Sequence, residues 1–195
     1  VFVPAFFQSS VFPDVLIRKL NQRTLTERAI DKAIKLTGYD SSVHVLTDSE
    51  EIALIARRAG VCVFYDPIGN WTDQGVTPEM LHYVQTNEEG NDQTFILSVY
   101  APLLTLDTLR TALSRIREDG VDMLQPVRQE EHSCTTHLPQ TVNNILFNST
   151  HSIQQVESGA FYALRSGVLA ANQSKEISVS HLIVGQDAIE IDSLW

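Results

Sequence analysis

The stretch Val43-His44-Val45-Leu46-Thr47-Asp48-Ser49-Glu50-Glu51-Ile52-Ala53-Leu54-Ile55-Ala56-Arg57-Arg58-Ala59-Gly60-Val61-Cys62-Val63-Phe64-Tyr65 decides the fold. Val43–Leu46 reads as a strand. Asp48-Ser49-Glu50-Glu51 then offers helix-capping oxygens, and Ile52, Ala53, Ile55 and Ala56 recur at helical spacing. Gly60 supplies a left-handed stop, and Val61–Tyr65 is a second strand. Two strands joined through a helix of this length form a parallel βαβ unit.

The same alternation continues in both directions. Phe2–Ala5 is a short first strand. Thr24 and Glu27 have capping-box spacing, Leu25, Ala29, Ala33 and Leu36 form one helical face, and Gly38 ends it. Thr77-Pro78-Glu79 opens another helix, Phe95–Val99 is an apolar strand suited to the middle of a parallel sheet, and a helix from Thr105 or Asp107 ends at Gly120. Met123–Val127, Gly159–Leu164 and Ile189–Ile191 complete the expected strands, while residues 129–156 are polar and carry no clear period. The expected class is therefore α/β, with a mainly parallel central sheet and helices on both faces. Such sheets bind ligands beyond the carboxyl ends of their strands. That places any site among loops 6–16, 47–49, 66–76 and 98–105.

Composition narrows the functional classes. The 195 residues suit one domain, 1–195, with 129–157 as a variable insert. Fourteen basic against 24 acidic residues give a formal net charge of -10, which argues against a nucleic-acid partner. No apolar run approaches a membrane span, residues 1–17 lack the basic start of a signal peptide, and Cys62 and Cys134 make no disulfide framework, so a cytoplasmic location is expected. The group His132-x-Cys134-x-x-His137 behind Glu130 and Glu131 matches no tetrahedral zinc spacing and reads as a polar loop.

The motifs carry a resemblance. Pro4-Ala5, Ser9 and Pro13 fall in register with P-A-R-x-x-S-K/T-R-I/L-P-G-K, and residues 43–53 with V-V-V-S-T-D-x-E-E-I-A. Pro102-Leu103, Ser158-Gly159-Ala160-Phe161-Tyr162 and Ala188-Ile189-Glu190-Ile191-Asp192-Ser193 parallel further patterns, the last being S-I-D-I-D-T. In order along nearly the whole chain, this resembles the sugar-activating cytidylyltransferases that make CMP-sialic acids and CMP-Kdo. The resemblance implies a nucleotide-diphospho-sugar-transferase-like (Rossmann-like) three-layer domain and a CTP-dependent transfer to a sugar acid in surface-glycan biosynthesis. It implies nucleotide contacts from Pro4, Ala5, Ser9 and Ser10, and substrate contacts from Ser98, Ser158 and Tyr162. It also implies Mg²⁺ on Glu190 and Asp192, CTP or a CMP-sugar as partner, and a homodimer built through an arm at 129–157. No catalytic residue is assigned.

The departures point one way. Phe6, Val11, Val15 and Leu104 stand where the family has cations, Asp66 where it has Arg, and Ser98 where it has Gln. Hydrogen bonds to charged groups contribute about 1.5–3 kcal/mol each. These losses predict that CTP binds weakly or not at all. The alternatives are a non-catalytic regulatory or scaffolding homologue, or a transferase of this fold with another substrate.

Overall fold

The computed structural model describes residues 1–6, 14–67, 77–88, 92–134, 150–169 and 176–191. In chain order the elements are β1 (Phe2–Pro4), β2 (Lys19–Leu20), β3 (Arg23–Thr24), α1 (Leu25–Thr37), β4 (His44–Thr47), α2 (Glu50–Arg58), β5 (Cys62–Tyr65), α3 (Pro78–Glu88), β6 (Gln93–Leu97), α4 (Leu106–Asp119), β7 (Met123–Cys134), β8 (Thr150–Glu157), β9 (Phe161–Arg165) and β10 (Val179–Val184). Helix boundaries fall where capping chemistry puts them. Thr24 Oγ1 accepts from the Glu27 N–H at 3.0 Å while Glu27 Oε2 accepts from the Thr24 N–H at 2.7 Å. Ser49 and Thr105 cap α2 and α4 in the same sense, and Gly38 and Gly120 end α1 and α4 in the left-handed region, at φ 78 and 65.

The strand order is β10-β7-β9-β6-β1-β4-β5, with β8 pairing to β7. Every strand of that row is parallel to the others except β9, which runs against both β6 and β7. Successive residues of the central strands face opposite layers. Val3 and Val45 join α1, α2 and α4 through Leu25, Ala29, Ile52, Ala56, Leu109 and Ala112. Phe2 and Leu46 meet Met80 and Val84 of α3 on the other face. The three-layer expectation from the sequence holds.

Three segments differ from the sequence reading. Residues 129–134 and 150–157, which carry no side-chain period, form an antiparallel ladder from Val127↔Glu157 to Cys134↔Thr150. The ladder is read from its backbone register, which side-chain periodicity does not reveal. Glu131, His132 and Cys134 lie on its backbone, and His137 lies outside the described residues. Val179–Val184 is an edge strand along β7 that alternates exposed with covered residues. Ile189–Ile191 is not a strand. It is extended chain after a short 3₁₀ turn at Gln186–Ala188, tied to the sheet by the Ile191 N–H to the Tyr100 carbonyl at 2.8 Å.

Candidate functional site

The parallel strands end together on one edge, where sheets of this kind take ligands, and the loops that leave that edge frame the candidate crevice. β1 delivers Pro4, Ala5 and Phe6 there. The Ala5 N–H donates to the Leu46 carbonyl at 2.8 Å and Ala5 is fully buried, so this residue contributes backbone, not side chain. Chain described again from Asp14 is pinned to the start of α1, where Thr26 Oγ1 donates to the Leu16 carbonyl at 3.0 Å. Asp14 holds φ 65. That is the left-handed region, which accounts for glycine at the matching place in the family pattern and which Asp tolerates better than most residues. Ser9, Ser10 and Val11 lie outside the described residues.

After β6 the chain turns on Ser98. Its N–H donates to the Ala160 carbonyl at 3.0 Å, its hydroxyl accepts from the Tyr100 N–H at 3.2 Å, and the same hydroxyl donates to Glu190 Oε1 at 3.2 Å. The other oxygen of Glu190 accepts from the Gly159 N–H at 2.8 Å. A single carboxylate therefore joins the end of β6, the start of β9 and the segment after β10. Ser158 is turned away from solvent. It is 2% exposed, and its hydroxyl donates to the Ala188 carbonyl at 2.8 Å. That hydroxyl fixes segment 185–191 and does not present itself to a substrate. Tyr162 lies half-buried on β9, and burial, followed by the carboxylates of Glu190 and Glu157, pushes its phenol pKa up. Tyr100 is raised in the same way by burial and then by Asp48. Both phenols stay neutral donors at physiological pH.

Two further anchors were not visible as site residues in the sequence. Asp187 accepts from Thr108 Oγ1 at 2.6 Å, from Thr105 Oγ1 at 3.2 Å and from the Thr105 N–H at 3.3 Å. Burial acts to raise its pKa, but these hydrogen bonds outweigh it and hold the carboxyl below its ordinary value. Lys32, from the middle of α1, donates to the carbonyls of Ala101 and Pro102, both at 2.8 Å. Burial and then Arg28 lower its pKa to about 8, with Asp187 and Asp31 pulling upward. The Thr105 cap was legible; its acidic partner some eighty positions away was not.

Replacing Lys32 with methionine keeps the stem and removes both donors. We expect a loss of about 2 kcal/mol, since the Pro102 carbonyl loses a charged partner. Denaturant titration checks it. An unchanged midpoint would show that the 98–104 loop does not depend on this lysine.

Three cation positions of the resemblance, at residues 6, 15 and 104, hold packing groups. Phe6 packs against the Phe2, Leu46, Met80 and Val84 cluster, Val15 packs against the other core, and Leu104 is 2% exposed within that core. Residues 7–13, 68–76 and 192–195 contain no Lys or Arg. A second concavity of about 560 Å³ lies at the amino edge of the sheet between His44, Cys62, Thr94 and Arg117. It is on the wrong side for loops at the carboxyl ends, so the crevice above remains the candidate site.

The synthetase of CMP:2-keto-3-deoxy-manno-octonic acid complexed with CTP superimposes with a TM-score of 0.69 at 15% identity, over 98% of this chain and 92% of that one. The chain has the cytidylyltransferase fold. The bifunctional IspDF of Campylobacter jejuni matches at TM-score 0.65 and 10% identity, over 98% of this chain and 51% of that one. The 4-diphosphocytidyl-2C-methyl-D-erythritol synthase of Anaerococcus prevotii gives 0.57 and 10%, over 98% and 92%. No family model and no curated protein sequence matches the chain. The cytidylyltransferase fold is thus shared at low identity.

Of the two carboxylates implied for magnesium, Glu190 lies among the described residues. No group of three His, Cys, Asp or Glu side chains gathers among them. Both Glu190 oxygens already accept hydrogen bonds, and Asp192 lies outside the described residues. No helix among the described residues is long and apolar enough to cross a membrane.

Proposed function

We propose that the carboxyl-edge crevice binds a nucleotide- or sugar-acid-derived ligand and that the chain does not carry out full CTP-dependent transfer. The observation that carries this reading is the packing of Phe6, Val15 and Leu104 into the two apolar clusters. These residues do not merely lack charge. Their side chains are committed to the core, so no rotamer change returns a donor to a triphosphate. Three lost charged contacts at about 1.5–3 kcal/mol each amount to about 5–9 kcal/mol. At 1.4 kcal/mol per tenfold, affinity for the triphosphate falls by about three to six decades. The nucleotide contacts of this reading are assigned to Pro4, Ala5, Ser9 and Ser10 from the resemblance, and the substrate contacts to Ser98 and Tyr162. If Glu190 and Asp192 hold Mg²⁺ as the resemblance implies, the Glu190 carboxylate keeps lone pairs for the ion beside its hydrogen bonds to Ser98 and Gly159.

Calorimetric titration with CTP in the presence of Mg²⁺ tests the reading. No saturable heat is expected at CTP concentrations up to about 1 mM, the range in which enzyme substrates ordinarily bind. Tight, metal-dependent binding would overturn it. Pyrophosphate release across a set of sugar acids then separates an active transferase from a binding protein.

A second reading, a protein-interaction module acting in surface-glycan biosynthesis, is favoured by the outer edge of the sheet. Val179 and Ile183 on β10 are 41% and 56% exposed. An open edge strand with an apolar face is a ready template for a partner chain. A homodimer through the β7–β8 ladder belongs to the same reading.

A further inference from the structure

Glu190 is held at the candidate crevice by both of its oxygens. Its two oxygens receive one donor each, from elements far apart in sequence: Gly159 N–H at 2.8 Å from the start of β9, and Ser98 Oγ–H at 3.2 Å from the end of β6. The space over Gly159 is shaped to the group. A Cβ placed there would lie 2.9 and 3.0 Å from the two Glu190 oxygens and 3.3 Å from the carboxyl carbon. The absence of a side chain at 159 is what lets a planar carboxylate lie flat against this backbone.

The segment that carries Glu190 is anchored independently of it. Asp187 is held by Thr105 and Thr108, the Ala188 carbonyl by the Ser158 hydroxyl, and the Ile191 N–H by the Tyr100 carbonyl. Glu190 is itself only partly buried. Its side chain can therefore rotate outward while its backbone stays in place. When it does, a backbone N–H and a hydroxyl are left pointing at one point in the crevice, beside the neutral phenol of Tyr162. Neutral donors in this arrangement can hold an anion through hydrogen bonds alone.

We propose that Gly159 N–H and Ser98 Oγ–H form a carboxylate-binding subsite, and that Glu190 is an internal stand-in which a ligand's carboxylate must displace. The inference rests on the crevice being a ligand site, as proposed above. It adds the ligand's anchoring group and a device that holds the subsite closed in its absence. Glu190 competes with the ligand and so lowers its affinity, the opposite of what a residue that holds metal or substrate would do.

The test uses the whole chain and reads the Gly159 amide by ¹H–¹⁵N NMR while 2-keto-3-deoxy-manno-octonic acid is added. Glu190→Ala is expected to bind this sugar acid at least tenfold more tightly than the unaltered chain, with a saturable shift at Gly159. Acetate alone is expected to shift the same amide in Glu190→Ala and not in the unaltered chain. Glu190→Gln keeps the plug's shape and its acceptor for Gly159, so it should bind the sugar acid no better than the unaltered chain does. Weaker or unchanged binding of the sugar acid in Glu190→Ala, with the spectrum still that of a folded chain, would overturn the proposal. Inorganic phosphate shifting Gly159 at concentrations as low as acetate would overturn the assignment to a carboxylate. If Glu190→Ala does not fold, acetate and the sugar acid are run on Glu190→Asp, whose shorter arm cannot reach both donors; no gain in binding there overturns the proposal too. None of these readouts involves a nucleotide, so they stand apart from the CTP titration.

Discussion

Leu104→Arg, which writes the family's cation back into the loop after β6, will cost about 3–5 kcal/mol and will not restore nucleotide binding. Leu104 is 2% exposed and packs among Ala101, Leu109 and the other residues of the larger core. An arginine there must either bury an unpaired guanidinium or drag the 98–104 loop outward. Either route breaks contacts that position Ser98 and Tyr100. Global stability of a single domain is about 5–15 kcal/mol, so the loss is a large share of the total. At about 2–4 °C per kcal/mol for a chain of this size, the melting temperature should fall by about 6–20 °C. Thermal unfolding monitored by circular dichroism checks it. A melting temperature within about 2 °C of the unaltered chain would mean that Arg finds solvent from this position, and the crevice would then be closer to a nucleotide site than proposed.

The same residue shows where sequence stops being informative. Leu104 stands where the resembled pattern has Arg, but only coordinates show that the position lies within the core. By contrast, the strand–helix–strand unit from Val43 to Tyr65 was fully legible. Its boundaries are set by local chemistry, the Ser49 cap and the Gly60 stop, acting within a few residues. The β7–β8 ladder was not legible, because its stability is in backbone pairs that any side-chain pattern permits. Glu190 and Ser98 could be named from sequence as candidate site residues. That they bond each other could not, nor could the contact of the Gly159 N–H with the same carboxylate. Ser158 was read as a substrate contact because its neighbours matched a pattern, and its hydroxyl proves to be an internal fastener. Lys32 and Asp187 escaped notice because their partners lie 69 and 79 residues or more away.

Phe161→Ala should be the most destabilising truncation near the site, costing about 3–5 kcal/mol. Phe161 is fully buried, pairs in register with Leu97 and stacks on Phe95 with ring centroids 5.9 Å apart. It therefore joins β6 to β9, the one strand of the row that runs against its neighbours. The register matters for function. Phe161 directly follows Ala160, whose carbonyl receives the Ser98 N–H, and stands two residues after Gly159. The cavity left by the ring weakens the seam that brings the Gly159 and Ser98 donors together. Denaturant titration reads the global loss. Hydrogen exchange reads its distribution, since local opening follows local packing. Under conditions where exchange proceeds by local opening, the amides of Gly159 and Ser98 should lose more protection than those of Val45 and Val63 in β4 and β5. Equal losses at all four would mean that the variant only lowers global stability, and that the seam between β6 and β9 does not by itself hold the subsite in place.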